Sequence, residues 1–200
     1  MLILASESRT RQALLRQAGL DFEIESAAID ERKVETQIKS DGGKAEDVAL
    51  GLAAAKAHAV SDQHPSAWVI GADQTLALGE EILHKPTDLA GASRQLDRLA
   101  GRTHLLHSAV ALAQNGEIVW SKLVNARLTM RKFTPAERTK VLELEGKAAL
   151  SSVGGYRLEG PSVRLFEKIE GDYFAILGLP LLELLSALRH HAPESLGETP

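Results

Sequence analysis

The tripeptide Gln114-Asn115-Gly116 separates two strand-like runs, His104 to Ala113 and Glu117 to Met130. Asn-Gly suits the two positive-φ positions of a tight hairpin turn, so the spacing predicts one long β-ribbon in this part of the chain. Before it, short apolar runs alternate with helical patterns, the order that an open α/β sheet requires. Leu2 to Ala5 reads as a first buried strand, and Ser8 caps a helix from about Arg9 to Ala18 that Gly19 terminates. Phe22 to Ser26 reads as a second strand, and Val34 to Lys44, polar with two glycines, as a mobile connection. Ala45 to Ser61 carries Val48, Leu52, Ala55 and Ala59 at helical spacing.

Further helices follow from their start signals. Asp88 caps a stretch with Leu89, Ala92, Leu96 and Leu99 on one face. Thr134-Pro135-Ala136-Glu137 combines an N-cap, a proline at the first helical position and a capping-box glutamate. Ser151 to Gly160 is too rich in glycine to pack as a regular element, and Val163 to Ile169 resumes strand character. A last helix begins at Leu177-Gly178-Leu179-Pro180, and its leucine stripe is core. The single domain is expected over residues 1–190, with 191–200 as a flexible tail.

Composition removes several classes of function. There is no cysteine, hence no disulfide framework, zinc–thiolate site or thiol nucleophile. A formal charge of -4 and a pI near 6.0 do not suit a protein that coats nucleic acid, although a small anion needs only a local basic patch. Met1 to Ala5 is too short for a signal peptide, and no later segment offers the roughly 18 apolar residues of a membrane helix. The expectation is a cytoplasmic protein with neither nucleic acid nor membrane as partner.

Trp68 to Pro86 holds the best candidate chemistry. Val69 and Ile70 followed by Gly71 predict the end of a buried strand, with Asp73 and Gln74 surfacing just beyond it and Lys85 following a short hairpin. In open α/β sheets the carboxyl end of a central strand is where ligands bind. A carboxylate and an amine at one crevice suit a metal-bound phosphate ester. Arg9 and Arg11 fall in the first turn of a helix, where a cation opposes the helix dipole and an anion would satisfy it. Without further context, the simpler reading is that both are solvated surface arginines. Lys56 lies at the border of an apolar stripe, from which it reaches either solvent or a cleft. Asp30-Glu31 reads as a solvated loop pair. Trp68 and Trp120 read as packing residues, and Tyr156, in the glycine-rich loop, is the better candidate for stacking on a base.

These segments, in this order, resemble the Maf family of nucleoside triphosphate pyrophosphatases. The opening LASESRTRQALL is similar to that family's Leu-Ala-Ser-x-Ser-Pro-Arg-Arg-x-x-Leu-Leu, with Ser6, Ser8 and Arg11 on matching positions. Lys56, Asp73 in GADQ, Lys85-Pro86, Gly101-Arg102-Thr103-His104, GGYRLEG and ILGLPL match its later motifs. The resemblance implies a mixed, twisted α/β sheet flanked by helices, in two lobes around a central cleft. It implies hydrolysis of a nucleotide between its α and β phosphates, releasing a monophosphate and pyrophosphate. Asp73 matches the proton acceptor, and Ser8, Arg11, Lys56 and Lys85 match positions around the phosphates. Glu31 matches an acidic position, so Asp73 and Glu31 are the expected carboxylates for Mg²⁺. No Walker loop or dinucleotide fingerprint is present. A homodimer is compatible with the resemblance.

The chain departs from the opening motif at Arg9 and Thr10, which shifts one basic group by a position. Asp73-Gln74 and Glu159 stand where the branch preferring dTTP and UTP has Asp-Thr and glutamine, and both resemble the 7-methyl-GTP branch. Gln74 and Glu159 are therefore expected at the substrate, since 7-methylguanine carries positive charge that a carboxylate beside the base would compensate. The alternatives are a dTTP/UTP pyrophosphatase, or a nucleotide-binding regulator of cell division in which catalysis is incidental.

Overall fold

A computed structural model describes residues 1–197. Seven strands form one sheet in the order β2-β1-β3-β5-β6-β7, with β4 beside β3. The strands are β1 (Leu2–Leu4), β2 (Glu23–Ile24), β3 (Trp68–Leu78), β4 (Glu81–Leu83), β5 (Thr103–Gln114), β6 (Glu117–Met130) and β7 (Phe166–Glu170). The helices are α1 (Arg9–Gln17), α2 (Glu31–Ser40), α3 (Ala45–Ser61), α4 (Leu89–Leu99), α5 (Pro135–Glu145), α6 (Tyr173–Ile176) and α7 (Leu181–His191). The sheet is mixed: β1 pairs in parallel with β2 and β3, whereas β3–β4 and β6–β7 are antiparallel. Asn115 and Gly116 both have positive φ, 53° and 74°, and turn β5 into β6 as the Asn-Gly signal requires.

The chain divides into two compact units, each built from separate segments. The first comprises Met1–Gln74, Ser108–Val124 and the segment from Tyr173 onward. Its central strands β1 and β3 are covered on both faces and are apolar on both sides, whereas β2 and the start of β6 are exposed. Leu2, Leu4, Ile70 and Ala72 pack with Leu14 and Leu15 of α1 and with Leu181, Leu184 and Leu188 of α7. Ile3, Ala5 and Val69 point the other way, against Ala49, Ala53, Ala57 and Val60 of α3. The second unit comprises Thr75–His107 and Asn125–Asp172. Buried within it are Leu96 and Leu99 of α4, Leu128 and Met130 of β6, and Val141 and Leu142 of α5.

Several expectations are corrected. Val34 to Lys44 is no mobile connection, because Glu31–Ser40 is α2, capped by Asp30, whose side chain accepts from the Lys33 N–H. Nothing in α2 is fully buried, and its apolar face is only Val34 and Ile38, one turn apart and half-buried. β3 does not end at Gly71 but runs on to Leu78, which places Asp73 and Gln74 within the strand. Pro161–Leu165 is a 3₁₀ turn and only Phe166–Glu170 is strand, while Tyr173–Ile176 forms a helical turn ahead of α7. Within the stretch expected as a tail, α7 includes His191, Pro193–Leu196 is a 3₁₀ turn, and Trp68 Nε1 donates to Glu194 Oε1 at 3.1 Å. Residues 198–200 lie outside the described residues.

Candidate active site

Gly71 brings the first cluster together. A Cβ there would lie 2.1 Å from the Ala53 carbonyl oxygen and 2.6 Å from the Ala57 nitrogen, so only glycine lets α3 approach β3 this closely. Alternation along β3 then turns Asp73 toward the α3 face that Val69 and Gly71 occupy. Lys56 stands one turn beyond Ala53 on α3. Its ammonium donates to Asp73 Oδ1 at 2.6 Å. The same ammonium meets Glu31 Oε1 at 2.8 Å. Lys56 and Asp73 are nearly enclosed, with side chains 11% and 13% exposed, whereas Glu31 is 56% exposed. Glu31 comes from the first turn of α2, and α2 packs on α3 where Ile38 lies over Gly51, whose Cβ would sit 2.4 Å from Ile38 Cδ1. The border lysine has therefore turned inward, and the supposedly solvated Glu31 is half of a shared ion pair.

Arg11 completes the first unit's set. Its Nε donates to the Gly178 carbonyl at 2.8 Å, and its Nη1 to the Ala72 carbonyl at 2.8 Å and to Ser6 Oγ at 3.1 Å. Nη2 is not used in these contacts. Burial pushes the guanidinium below its ordinary pKa, and the charges of Asp73 and Glu31 push it back up. Arg11 is thus no solvated arginine, whereas Arg9 is exposed. Ser8 caps α1, with its side chain accepting from the Arg11 N–H, and its own N–H donates to Ser6 Oγ at 3.3 Å. Gln74 faces the opposite side of β3 from Asp73. Its Nε2 lies 2.8 Å from Ser108 Oγ and 3.1 Å from each of the Ala175 and Ile176 carbonyls. Ser108 carried no motif that the sequence alone made visible, and Gly178 was visible only as part of ILGLPL, not as a partner of Arg11.

Lys85 and Glu159 belong to the second unit. Lys85 follows β4 and is exposed. Glu159 follows Arg157, which is held by a fully buried acid, Glu145. The Glu145 carboxylate accepts from Arg157 Nε at 3.0 Å and from both the N–H and Oγ of Ser162 at 2.9 Å. A Cβ on Gly160 would lie 2.3 Å from Glu145 Oε1, so the loop closes over the acid only with glycine there. Tyr156 is not a free stacking platform. It is buried, edge-on to Phe166 at 4.9 Å between centroids, and its hydroxyl is 2.7 Å from His104 Nε2. Burial holds the His104 imidazole down at about 4 and pushes the Tyr156 phenol up.

Among the described residues no cluster of three or more His, Asp or Glu side chains is placed to hold a metal. Asp73 and Glu31, converging on one ammonium, are nonetheless a donor set that fits magnesium, which uses one or two carboxylates and takes its remaining oxygens from water and phosphate. No helix among the described residues is long and apolar enough to cross a membrane.

A strand-borne acid tied to a lysine, beside a caged arginine on a capped helix, defines an α/β protein equipped for an anionic ligand. Residues 1–191 match the family described as Maf-like protein, and the chain belongs to the Maf family. It is 53% identical to a 7-methyl-GTP pyrophosphatase of Rhizobium johnstonii and 52% identical to one of Brucella abortus, in each case over 94% of both chains. It is also 52% identical to a nucleoside triphosphate pyrophosphatase of Bradyrhizobium diazoefficiens, over 94% of this chain and 92% of that one.

Proposed function

We propose that the protein is a nucleoside triphosphate pyrophosphatase that favours 7-methyl-GTP. The observation that carries this reading is the single ammonium of Lys56 shared by Asp73 and Glu31. A triphosphate brings several negative charges, which Arg11, Lys56 and Lys85 would neutralise, with Ser8 donating at the phosphates. Asp73 and Glu31 would hold Mg²⁺, which when bound supplies charge neutralisation at the phosphate oxygens. Asp73 would also take the proton of the attacking water. The new bond forms between water oxygen and the α-phosphorus, the bond from that phosphorus to the bridging oxygen breaks, and pyrophosphate leaves. Glu159 would compensate the positive charge of a 7-methylated base.

The similarity to the 7-methyl-GTP pyrophosphatases of Rhizobium johnstonii and Brucella abortus supports this substrate choice. Gln74 enters as the residue that fixes the Ala175–Ile176 carbonyls behind Asp73, with its amide oxygen left to the ligand. A cytoplasmic location accords with nucleotide chemistry. The test is pyrophosphate release from 7-methyl-GTP, GTP, dTTP and UTP, with and without Mg²⁺, by wild type and Asp73→Asn. The expected result is Mg²⁺-dependent release, fastest with 7-methyl-GTP and reduced about 10²- to 10⁴-fold in the variant, the usual range for a lost general base. Faster release from dTTP and UTP would reassign the substrate. No release from any triphosphate would favour a nucleotide-binding regulator.

A further inference from the structure

Glu145 is a buried acid that the proposed chemistry does not use. It sits in the second unit with its side chain wholly enclosed, bonded to Arg157 Nε and to Ser162. Arg157 has a second acidic neighbour, because its Nη1 lies 3.9 Å from Glu159 Oε1. That separation is a charge contact and not a hydrogen bond. Arg157 is therefore committed to the inner acid and stands off from the outer one. The outer acid, Glu159, is a third exposed and can meet a ligand. The three side chains carry one positive and two negative charges, so the surplus falls on the acid that Arg157 does not bond.

We propose that Glu145 is a specificity-positioning residue: by holding Arg157 it prevents that guanidinium from closing on Glu159, and so keeps Glu159 negative toward a cationic base. This rests on the reading that Glu159 compensates the charge of 7-methylguanine. Without the inner acid, the arginine would turn to the remaining carboxylate, since an ion pair of this kind is the strongest bond open to it. The outer acid would then be neutralised before any substrate arrived. Glu145 touches no reacting atom in this scheme, and its effect appears only in the choice between charged and uncharged bases.

The readout is the ratio of kcat/KM for 7-methyl-GTP to that for GTP, measured on the full-length protein. A general loss of folded enzyme lowers both values and leaves their ratio alone. Glu145→Gln keeps the shape and the acceptor for Ser162 but presents an amide where Arg157 needs an acceptor. The ratio should fall about tenfold, the size of one charge-assisted contact, toward that of Glu159→Gln, while GTP turnover stays within about twofold. If Glu159→Gln lowers the ratio and Glu145→Gln does not, the inference is wrong and the role of Glu159 stands. If Glu159→Gln leaves the ratio unchanged, the role of Glu159 itself is wrong and the inference goes with it. Should Glu145→Gln fail to fold, Arg157→Gln decides: with no guanidinium to close on Glu159 the ratio should hold or rise, and a fall overturns the proposal.

Discussion

Each unit contains one cation between two acids, and the two arrangements differ in symmetry. In the first, Lys56 contacts both of its acids at hydrogen-bond distance, 2.6 Å to Asp73 and 2.8 Å to Glu31. In the second, Arg157 bonds the buried Glu145 at 3.0 Å and stays 3.9 Å from the outer Glu159. A lysine ammonium is a compact point charge that serves two partners at once, whereas the planar guanidinium presents fixed donors and can be aimed at one. The symmetric cluster shares its surplus negative charge across two carboxylates, which suits a divalent cation and a phosphate. The aimed cluster confines the surplus to one outward-facing acid, which suits recognition of a base.

The contrast can be broken most severely through the backbone. Gly71→Ala puts a methyl 2.1 Å from the Ala53 carbonyl, so α3 must move and carry Lys56 away from Asp73. Turnover should drop by about 10²-fold or more, the usual consequence of a misplacement near 1 Å. Wild-type pyrophosphate release in that variant would show that the Lys56–Asp73 contact is dispensable.

Removing one acid from each cluster comes next in size. Glu145→Ala leaves Arg157 and the Ser162 N–H without their partner and should cost about 4 kcal/mol of unfolding free energy. Glu31→Gln, at an exposed position, should cost less than about 1 kcal/mol. Urea titrations compare the two, and equal losses would mean that the asymmetry is geometric only.

The second unit should also be the acid-sensitive one. His104 has its folded pKa lowered from 6.5 to about 4, so above 6.5 both folded and unfolded forms are neutral and its contribution is complete. As pH falls from 6.5 toward 4 the unfolded chain takes up a proton that the folded site refuses, and stability declines by about 3 kcal/mol in total before levelling off. Unfolding free energy followed across that window should fall less steeply in His104→Gln. Equal slopes would remove His104 as the cause.

Much of this could be read from the residues, and the failures have physical reasons. The Ser8, Asp88 and Thr134 caps, the Asn115-Gly116 turn and the leucine stripe of α7 were legible because each is a local device with a fixed residue requirement. α2 was missed because Val34 and Ile38, half-buried and one turn apart, are its whole apolar face, too short a stripe to stand out in a polar stretch. Gly71 was read as the end of a strand when it is a point of close approach within one, and only the packing of α3 distinguishes the two. Asp73 and Lys56 were individually visible and Glu31 was named through the resemblance, but the sharing of the Lys56 ammonium by Glu31 depended on that unseen helix. Glu145 was silent because an acid near the end of a helix looks like ordinary surface until the chain folds over it.

The hydrogen bond from Arg11 to the Gly178 carbonyl spans 167 positions of sequence. A chain emerging from the ribosome presents Arg11 long before Gly178. The guanidinium cannot be fixed by that contact until the Gly178 turn has been made. An interrupted product would keep the Lys56–Asp73 pair within its sequence yet lack the last clamp on its arginine. Two segments far apart in the order of synthesis must therefore meet before Arg11 takes up the position it holds in the folded protein.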